Sequence, residues 1–91
     1  MSVTGAIINT DGNTSQFTSE HDSPTLKELQ RIVGGYIEFI FLSKNQVLVI
    51  NEDSKNKNLS INKTATEMLR MEGREDTILG QVLLINSDAI R

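Results

Sequence analysis

Two β-rich runs, YIEFIFLS and QVLVINED, lie on either side of the polar pair Lys44-Asn45. A break this short between two apolar runs favours a tight hairpin, because antiparallel strands can be joined by a very short turn. Residues 36–53 are therefore predicted to form an antiparallel ribbon. The near-continuous hydrophobicity of both runs is typical of a central pair of strands. Such a pair is covered on both faces by its own chain, or on one face by a helix and on the other by a partner.

A helix is predicted immediately before this hairpin, over residues 23–35. Apolar residues recur there at spacings of three and four, which places them on one face of the helix. They are Leu26, Leu29, Ile32 and Val33. Ser23 is expected to cap the helix and Pro24 to occupy its first position, where a missing N–H is not needed. Gly34-Gly35 is expected to end the helix, because glycine readily adopts the left-handed conformation of a C-cap.

Turn signals also organise the N-terminal part of the chain. Residues 1–22 are predicted to form a hairpin around Asp11-Gly12, a dipeptide that favours tight turns. The second strand of this hairpin, Thr14–Glu20, is rich in Thr and Ser and is expected at an edge of the sheet.

The C-terminal part is predicted to add a helix and a strand. The helix is expected over residues 62–71 with Asn62 as its cap, and the strand over residues 77–86. Gly80 inside that strand indicates a bulge or a close backbone approach. The expected fold class is α+β: one small domain, with a sheet of four or five mostly antiparallel strands and one or two helices packed on a face.

Composition restricts the partners of this domain. The length of 91 residues fits a single domain spanning residues 1–91. The net charge of −3 argues against nucleic acid, whose backbone is usually contacted by clustered Lys and Arg. No apolar run is long enough to span a membrane and the N-terminus does not resemble a signal peptide, so a cytoplasmic protein without a membrane partner is expected.

The reactive residues argue against catalysis. His21 is the single His, it lies in a polar turn, and there is no Cys to accompany it as a metal ligand. The chain contains no P-loop, no dinucleotide fingerprint and no nucleophile elbow. We therefore predict a protein that is not an enzyme and that has no cofactor or metal. A hydrolase using Glu38 and Asp76 is the less favoured alternative.

Glu38 is the one charged residue within the run YIEFIFLS. Alternation along a strand places Glu38 on one face and Ile37, Phe39 and Phe41 on the other, and the latter face is expected to pack against the first helix. A buried, unpaired carboxylate is unfavourable by several kcal/mol. Glu38 is therefore expected to be solvated, to pair with a cross-strand Lys, or to accept hydrogen bonds from a ligand or a second subunit.

The hairpin geometry predicts where polar side chains converge. If the ribbon folds at Lys44-Asn45, Glu38 at the start of one strand lies near Asn51 at the end of the next. We expect a ligand site at this end of the sheet, where amides offer donors and acceptors and basic side chains can bind phosphate. The alternative for the loop that follows Asn51 is a disordered polar segment. The candidate binding residues are Gln30, Tyr36, Glu38, Asn51, Glu52, Lys55, Asn62, Arg70, Arg74 and Asp76.

The segments LKELQRIVGGYIEFIF, VLVINEDSK, LSIN and DTILGQVLLI follow one another in this order. Their combination resembles the DUF3846 family of phage and mobile-element proteins over nearly the whole chain. The matching positions are Leu29, Gln30, Val33, Gly34, Gly35, Tyr36, Ile37, Glu38, Asn51, Glu52, Lys55, Asn62, Asp76, Ile78 and Gly80. The family has a Gly before the loop Lys, where this chain has Ser54, so a different loop geometry is expected. The resemblance implies an accessory protein of a phage or mobile element that acts in the bacterial cytoplasm.

Two functions follow as expectations. The first is a small, self-associating protein that binds a ligand at or between subunits, by analogy with phage proteins that sequester nucleotide immune signals. Arg70, Arg74, Lys55 and Lys63 are the expected phosphate contacts in that case. The alternative is a protein-interaction module that inhibits a host protein through the edge strand Thr14–Glu20.

Overall fold

The computed structural model describes residues 2–90, so Met1 and Arg91 at the ends of the predicted domain lie outside the described part. This part contains five strands, two helices and a short 3₁₀ turn. They are β1 (Val3–Ile8), β2 (Thr14–Ser19), α1 (Leu26–Val33), β3 (Ile37–Leu42), β4 (Gln46–Asn51), α2 (Lys63–Met71), β5 (Val82–Asn86) and the 3₁₀ turn Ser87–Ala89. The predicted α+β class is confirmed. Neither helix within residues 2–90 has the length and apolar character needed to cross a bilayer.

All five strands form one antiparallel sheet in the order β2-β1-β5-β4-β3. The last strand, β5, lies in the middle and joins the N-terminal hairpin to the central hairpin. The edge position predicted for β2 is confirmed. The expectation that both strands of the central hairpin lie inside the sheet is wrong, because β5 pairs with β4 and leaves β3 as the second edge.

The two helices cover opposite faces of the sheet, and β4 contributes to both cores. Val47 and Val49 pack with α1 on one face, whereas Leu48 and Ile50 pack with α2 on the other. This alternation explains why the β4 sequence is almost continuously hydrophobic. Burial of each such side chain contributes on the order of 1.5–3 kcal/mol to folding.

The predicted core face of β3 is mostly exposed. Ile37 packs in the α1 core, but Phe39 and Phe41 are 36% and 56% exposed, and their ring centroids lie 6.3 Å apart. The expectation that Phe39 and Phe41 pack against the first helix is therefore wrong. The reason is that the α1 core is built on β4 and β5. Among residues 2–90, β3 contributes to that core through Ile37 alone.

Helix α1 is capped by Thr25 rather than by Ser23. Thr25 Oγ1 accepts a hydrogen bond from the Glu28 N–H at 3.1 Å, and the Thr25 N–H donates to Glu28 Oε1 at 2.8 Å. This reciprocal capping box satisfies two backbone N–H groups at the start of the helix. Pro24 consequently lies before the helix instead of in its first turn. Gly34 ends the helix as predicted, with a left-handed φ of 81°.

Both hairpin turns and the start of α2 agree with the prediction. Gly12 has a φ of 91° in the first turn, and Lys44 and Asn45 have φ values of 60° and 59° in the second. Asn62 caps α2 through a hydrogen bond from the Ala65 N–H to Asn62 Oδ1 at 3.1 Å.

The last strand is shorter than the predicted range of residues 77–86, because β5 begins at Val82. Leu79 forms a single bridge with Ile61, and Gly80 then takes a φ of 86°, which interrupts regular strand geometry. The close approach predicted at Gly80 is confirmed. A β-carbon there would lie 2.8 Å from Leu59 Cδ1.

Candidate functional site

A cleft of about 430 Å³ opens on the α2 face of the sheet, where β3 begins and β4 ends. Its floor is apolar and consists of Ile40 from β3, Ile50 from β4 and Ile78 from the segment before β5. Ile50 and Ile78 also belong to the core under α2, and Ile40 packs against that core. The floor is therefore fixed by the folded interior, while residues 52–56 and 76–77 form the walls.

The pairing of β3 with β4 brings the two sides of the cleft together. The Glu52 N–H donates to the Tyr36 carbonyl oxygen at 2.9 Å, and Glu38 lies opposite Ile50. The start of β3 is thus adjacent to the loop that follows β4, as antiparallel pairing requires. The predicted proximity of Glu38 to the asparagine-led loop is confirmed.

Asn51 fixes the loop at the edge of the cleft. Asn51 is only 1% exposed. Its Nδ2 donates to the Val33 carbonyl oxygen at 3.0 Å, and its Oδ1 accepts from the Asp53 N–H at 2.8 Å. Since both ends of the amide have partners within the fold, Asn51 links α1 to the loop and positions the residues that follow it.

The loop after β4 adopts turns without a glycine. The Ser54 N–H donates to the Asn51 carbonyl oxygen at 3.2 Å, and Lys57 Nζ donates to the Gly34 carbonyl oxygen at 3.4 Å. The left-handed conformation in this loop falls at Asn58, with a φ of 52°, and not at Ser54. Asn tolerates this conformation better than most residues, so the loop closes without a glycine.

Carboxylates dominate the rim of the cleft. Glu38, Glu52, Asp53 and Asp76 line it together with one cation, Lys55. Within residues 2–90, no ion pair joins Lys55 to these carboxylates. The negative balance favours a ligand that carries cationic groups or hydrogen-bond donors, because charge complementarity supports both association rate and specificity.

Within the described part of the chain, no group of three or more His, Cys, Asp or Glu side chains is arranged to hold a metal ion. His21 lies in the turn before α1, where its N–H donates to Ser19 Oγ at 3.2 Å, and it does not line the cleft.

Five of the ten predicted binding residues lie outside the cleft lining: Gln30, Tyr36, Asn62, Arg70 and Arg74. Tyr36 nevertheless lies next to the cleft, as predicted, because its carbonyl oxygen accepts from the Glu52 N–H. The other four residues do not line the cleft with Glu38. The Gln30 carbonyl oxygen accepts the N–H groups that end α1, and Tyr36 is an exposed residue just before β3. Arg70 pairs with Glu67 at 2.7 Å on α2, whose buried residues Ala65 and Leu69 face the sheet instead. Arg74 follows α2, and its N–H donates to the Leu69 carbonyl oxygen at 3.0 Å.

Asn62 does not line the cleft because it is buried and holds the fold together. Besides capping α2, its Nδ2 donates to the carbonyl oxygens of Ile8 at 3.0 Å and Gly80 at 2.9 Å. It is 0% exposed. Its amide joins α2 to the ends of β1 and of the segment before β5.

The apolar floor of the cleft was not predicted. A signal existed for Ile40, which has the same parity as Glu38 along β3. The position of Ile50 opposite Glu38 follows from the observed register, in which Leu42 pairs with Gln46. Ile78 had no such local signal, because its position depends on the path of the chain after α2. The other lining residues that sequence reasoning missed are Asp53, Ser54, Asn56 and Thr77.

The fold and the cleft define a small α+β domain with one helix on each face of an antiparallel sheet and an acidic surface cleft. The family model described as "Domain of unknown function (DUF3846)" matches residues 3–90. The chain belongs to the DUF3846 family, which confirms the family suggested by its motifs. Searches of curated proteins and of solved structures returned no significant match.

Proposed function

We propose that this chain is a non-enzymatic binding protein and that the cleft beside Glu38 is its ligand site. The observation that supports this is the construction of the cleft: an apolar floor of Ile40, Ile50 and Ile78 lies under a rim of charged side chains. Ligand sites commonly combine an apolar surface with a few polar groups that orient the ligand. The volume of about 430 Å³ accommodates a small molecule or one long side chain.

The charge of the rim favours a ligand with a cationic group. Four carboxylates and one Lys line the cleft. The phosphate contacts expected for nucleotide sequestration, Arg70, Arg74 and Lys63, lie outside the lining, and Lys55 is the one expected contact within it. A nucleotide therefore receives less support from the cleft than an amine or a guanidinium does.

The proposal also covers where the protein acts and whether it self-associates. The DUF3846 motifs resemble proteins of phages and mobile elements, which supports an accessory role in the cytoplasm of a bacterial host. Self-association would enlarge the surface that so short a chain can bury. The oligomeric state follows directly from native mass spectrometry, in the same experiment that detects a ligand.

Native mass spectrometry and thermal unfolding with L-arginine, spermidine and a set of cyclic nucleotides test the proposal. We expect arginine or spermidine to add mass to the protein and to raise its melting temperature, because ligand that binds only the folded state stabilises it. Cyclic nucleotides are expected to do neither. No mass adduct and no shift with any of these compounds would overturn the proposed ligand site.

Two neighbouring acidic residues provide a matched pair of variants. Asp76→Asn removes a carboxylate from the cleft, whereas Glu75→Gln removes one from a residue outside it. We expect Asp76→Asn to weaken binding and Glu75→Gln to leave it unchanged. Equal effects would show that binding depends on net charge alone. Incubation of both variants with candidate hydrolase substrates also tests the alternative in which Glu38 and Asp76 are catalytic.

A protein-interaction module is the second candidate function, and the two free edges of the sheet favour it. The expected docking strand, β2, is an edge as predicted, but its side chains are mainly small and polar. The other edge, β3, carries the exposed rings of Phe39 and Phe41. Pull-down from a bacterial host lysate with the intact chain tests this candidate. A stoichiometric host protein supports it, and the lack of one counts against it.

A further inference from the structure

The backbone of β3 has an unpaired outer side. The Tyr36 carbonyl oxygen accepts from the Glu52 N–H in the pairing with β4. Because hydrogen-bonding directions alternate along an antiparallel strand, the N–H and C=O groups of Ile37, Phe39 and Phe41 point away from β4. Within residues 2–90, no strand lies on this side of β3. Three successive outward-facing residues are therefore available for pairing with another strand.

The end of this edge is closed by α2. After Phe41, Ser43 is the next residue whose N–H points away from β4. This N–H donates to Glu72 Oε1 at 3.0 Å. An added strand thus has a defined length of contact, from Ile37 to Phe41, and cannot continue past the turn. Such termination limits indiscriminate edge pairing, which exposed sheet edges otherwise invite.

The two faces beside this edge differ in chemistry. On the α1 face, Phe39 and Phe41 present exposed rings next to the free backbone groups. On the α2 face, Glu38 and Ile40 belong to the lining of the acidic cleft. Successive side chains of an added strand would alternate between these faces. One set would contact aromatic rings, and the other would extend over the carboxylates.

We propose that β3 accepts an extended segment of a partner protein as a sixth strand, and that the segment alternates apolar and basic residues. Main-chain hydrogen bonds to Ile37, Phe39 and Phe41 would supply affinity, as in other cases of strand addition. The basic side chains would bind at Glu38 and the neighbouring rim, and the apolar ones on the phenylalanines. This inference rests on the proposed function, since it assigns the cationic ligand of the same cleft to a peptide.

Charge distinguishes this partner from a second copy of the chain. In antiparallel self-pairing centred on Phe39, Glu38 would lie opposite Ile40 of the other copy, and the two Glu38 carboxylates would be diagonal neighbours. The strand that would have to supply a cation, IEFIFL, contains none. A basic segment would neutralise the negative charge at the rim of the cleft, whereas a second copy would add further negative charge there.

The test uses fluorescent hexapeptides and fluorescence polarisation with the intact chain. The first peptide alternates Val and Arg, the second has the same composition with its Arg residues grouped, and the third alternates Val and Glu. We expect the first to bind more tightly than the second, and the third not to bind. Equal binding of the first two peptides would show simple charge attraction and would overturn the strand register.

Proline variants on the two edges provide the matched controls. Phe39→Pro removes an N–H that points away from β4, and proline is tolerated at such edge positions. Gln16→Pro makes the equivalent change on β2: the Asn9 N–H donates to the Asn13 carbonyl oxygen, so by alternation Gln16 faces outward. We expect Phe39→Pro to weaken peptide binding about tenfold, the loss of roughly one main-chain hydrogen bond, and Gln16→Pro to have no effect. Circular dichroism is the check that both proline variants are folded. A third variant, Phe39→Ser, keeps the N–H and therefore separates loss of the ring from loss of the hydrogen bond.

The outcomes separate this inference from the proposed function. If arginine or spermidine binds in an Asp76-dependent manner but the alternating peptide does not bind, the cleft is supported and strand addition is overturned. If none of these ligands binds, both are overturned. A concentration-dependent dimer that Phe39→Pro abolishes would assign the edge to a second copy, which also contradicts the inference.

Discussion

Glu72, at the end of α2, accepts two hydrogen bonds from Ser43 in the turn between β3 and β4: one from the N–H at 3.0 Å and one from the hydroxyl at 2.6 Å. The Ser43 hydroxyl and then the Ser43 N–H hold the pKa of the Glu72 carboxyl below its ordinary value. This contact joins the second helix to the central hairpin across 29 positions of sequence. It thereby connects the helix on one face to the edge strand that borders the cleft.

Substitution of Glu72 by Gln is expected to lower the stability of the domain at neutral pH. The amide can accept one of the two hydrogen bonds, but it lacks the charge that strengthens them. The free energy of unfolding from urea titration measures the change. Glu75→Gln is the control, because Glu75 is an exposed acidic residue three positions further on. An equal loss of stability in both variants would contradict the assigned role of Glu72.

The same contact predicts a pH dependence. Because the folded-state pKa of Glu72 is lowered, the unfolded chain takes up the proton first as pH falls. The stabilisation is therefore complete above the ordinary Glu pKa, near 4.3, and is lost as pH falls through the lowered folded-state value. We expect the stability difference between the wild type and Glu72→Gln to shrink in this acidic range, in urea titrations repeated at several pH values. A difference that stayed constant there would rule out the charged form as its source.

The capping box of α1 gives a prediction that also separates two candidate caps. Thr25→Ala removes the acceptor of the Glu28 N–H and is expected to destabilise the domain by about 1 kcal/mol. Ser23→Ala, at the cap position expected from sequence, should change the stability by less than about 0.5 kcal/mol. Thermal and urea unfolding of the two variants, measured side by side, provide the check. A larger loss for Ser23→Ala would place the helix start where the sequence alone predicted it.

Local sequence patterns predicted those elements whose cause is local. The Asp11-Gly12 turn, the Gly34 cap and the Asn62 cap each depend on residues within a few positions, and each was located correctly. The predicted cap of α1 was wrong because Ser23 and Thr25 are both residue types that commonly cap helices. Only Thr25 has a Glu three positions ahead that can complete a capping box.

Features that depend on the order of strands were not accessible from the sequence. The insertion of β5 beside β4 makes β3 an edge, and this alone explains why Phe39 and Phe41 are exposed although their strand looks like a core strand. The residues of the candidate site likewise divide into those brought together by local structure and those brought together by the tertiary fold. Glu38 and Glu52 are near one another because of a local hairpin, whereas Asp76 reaches the cleft through the tertiary path of the chain after α2.

Asn62→Ala is expected to destabilise the domain strongly. It would remove the cap of α2 and leave the carbonyl oxygens of Ile8 and Gly80 without their buried donor. The expected loss is roughly 2–4 kcal/mol, since each unsatisfied buried group is itself costly. Asn56→Ala, an exposed residue in the cleft wall, is the control and should remain within about 0.5 kcal/mol of the wild type. Urea titration measures both, and a small effect of Asn62→Ala would return that residue to the list of ligand contacts.

Glu38→Gln is expected to change binding without changing stability. Glu38 is exposed, lies opposite Ile50 rather than a Lys, and lines the acidic cleft. A solvated carboxylate without a partner contributes little to folding, so the free energy of unfolding should change by less than about 0.5 kcal/mol. Binding of the alternating Val–Arg peptide should nevertheless weaken, because one of the carboxylates closest to the added strand loses its charge. Polarisation and urea titration on the same preparation separate the two effects. A stability loss with unchanged binding would show that Glu38 supports the edge strand and does not contact the peptide.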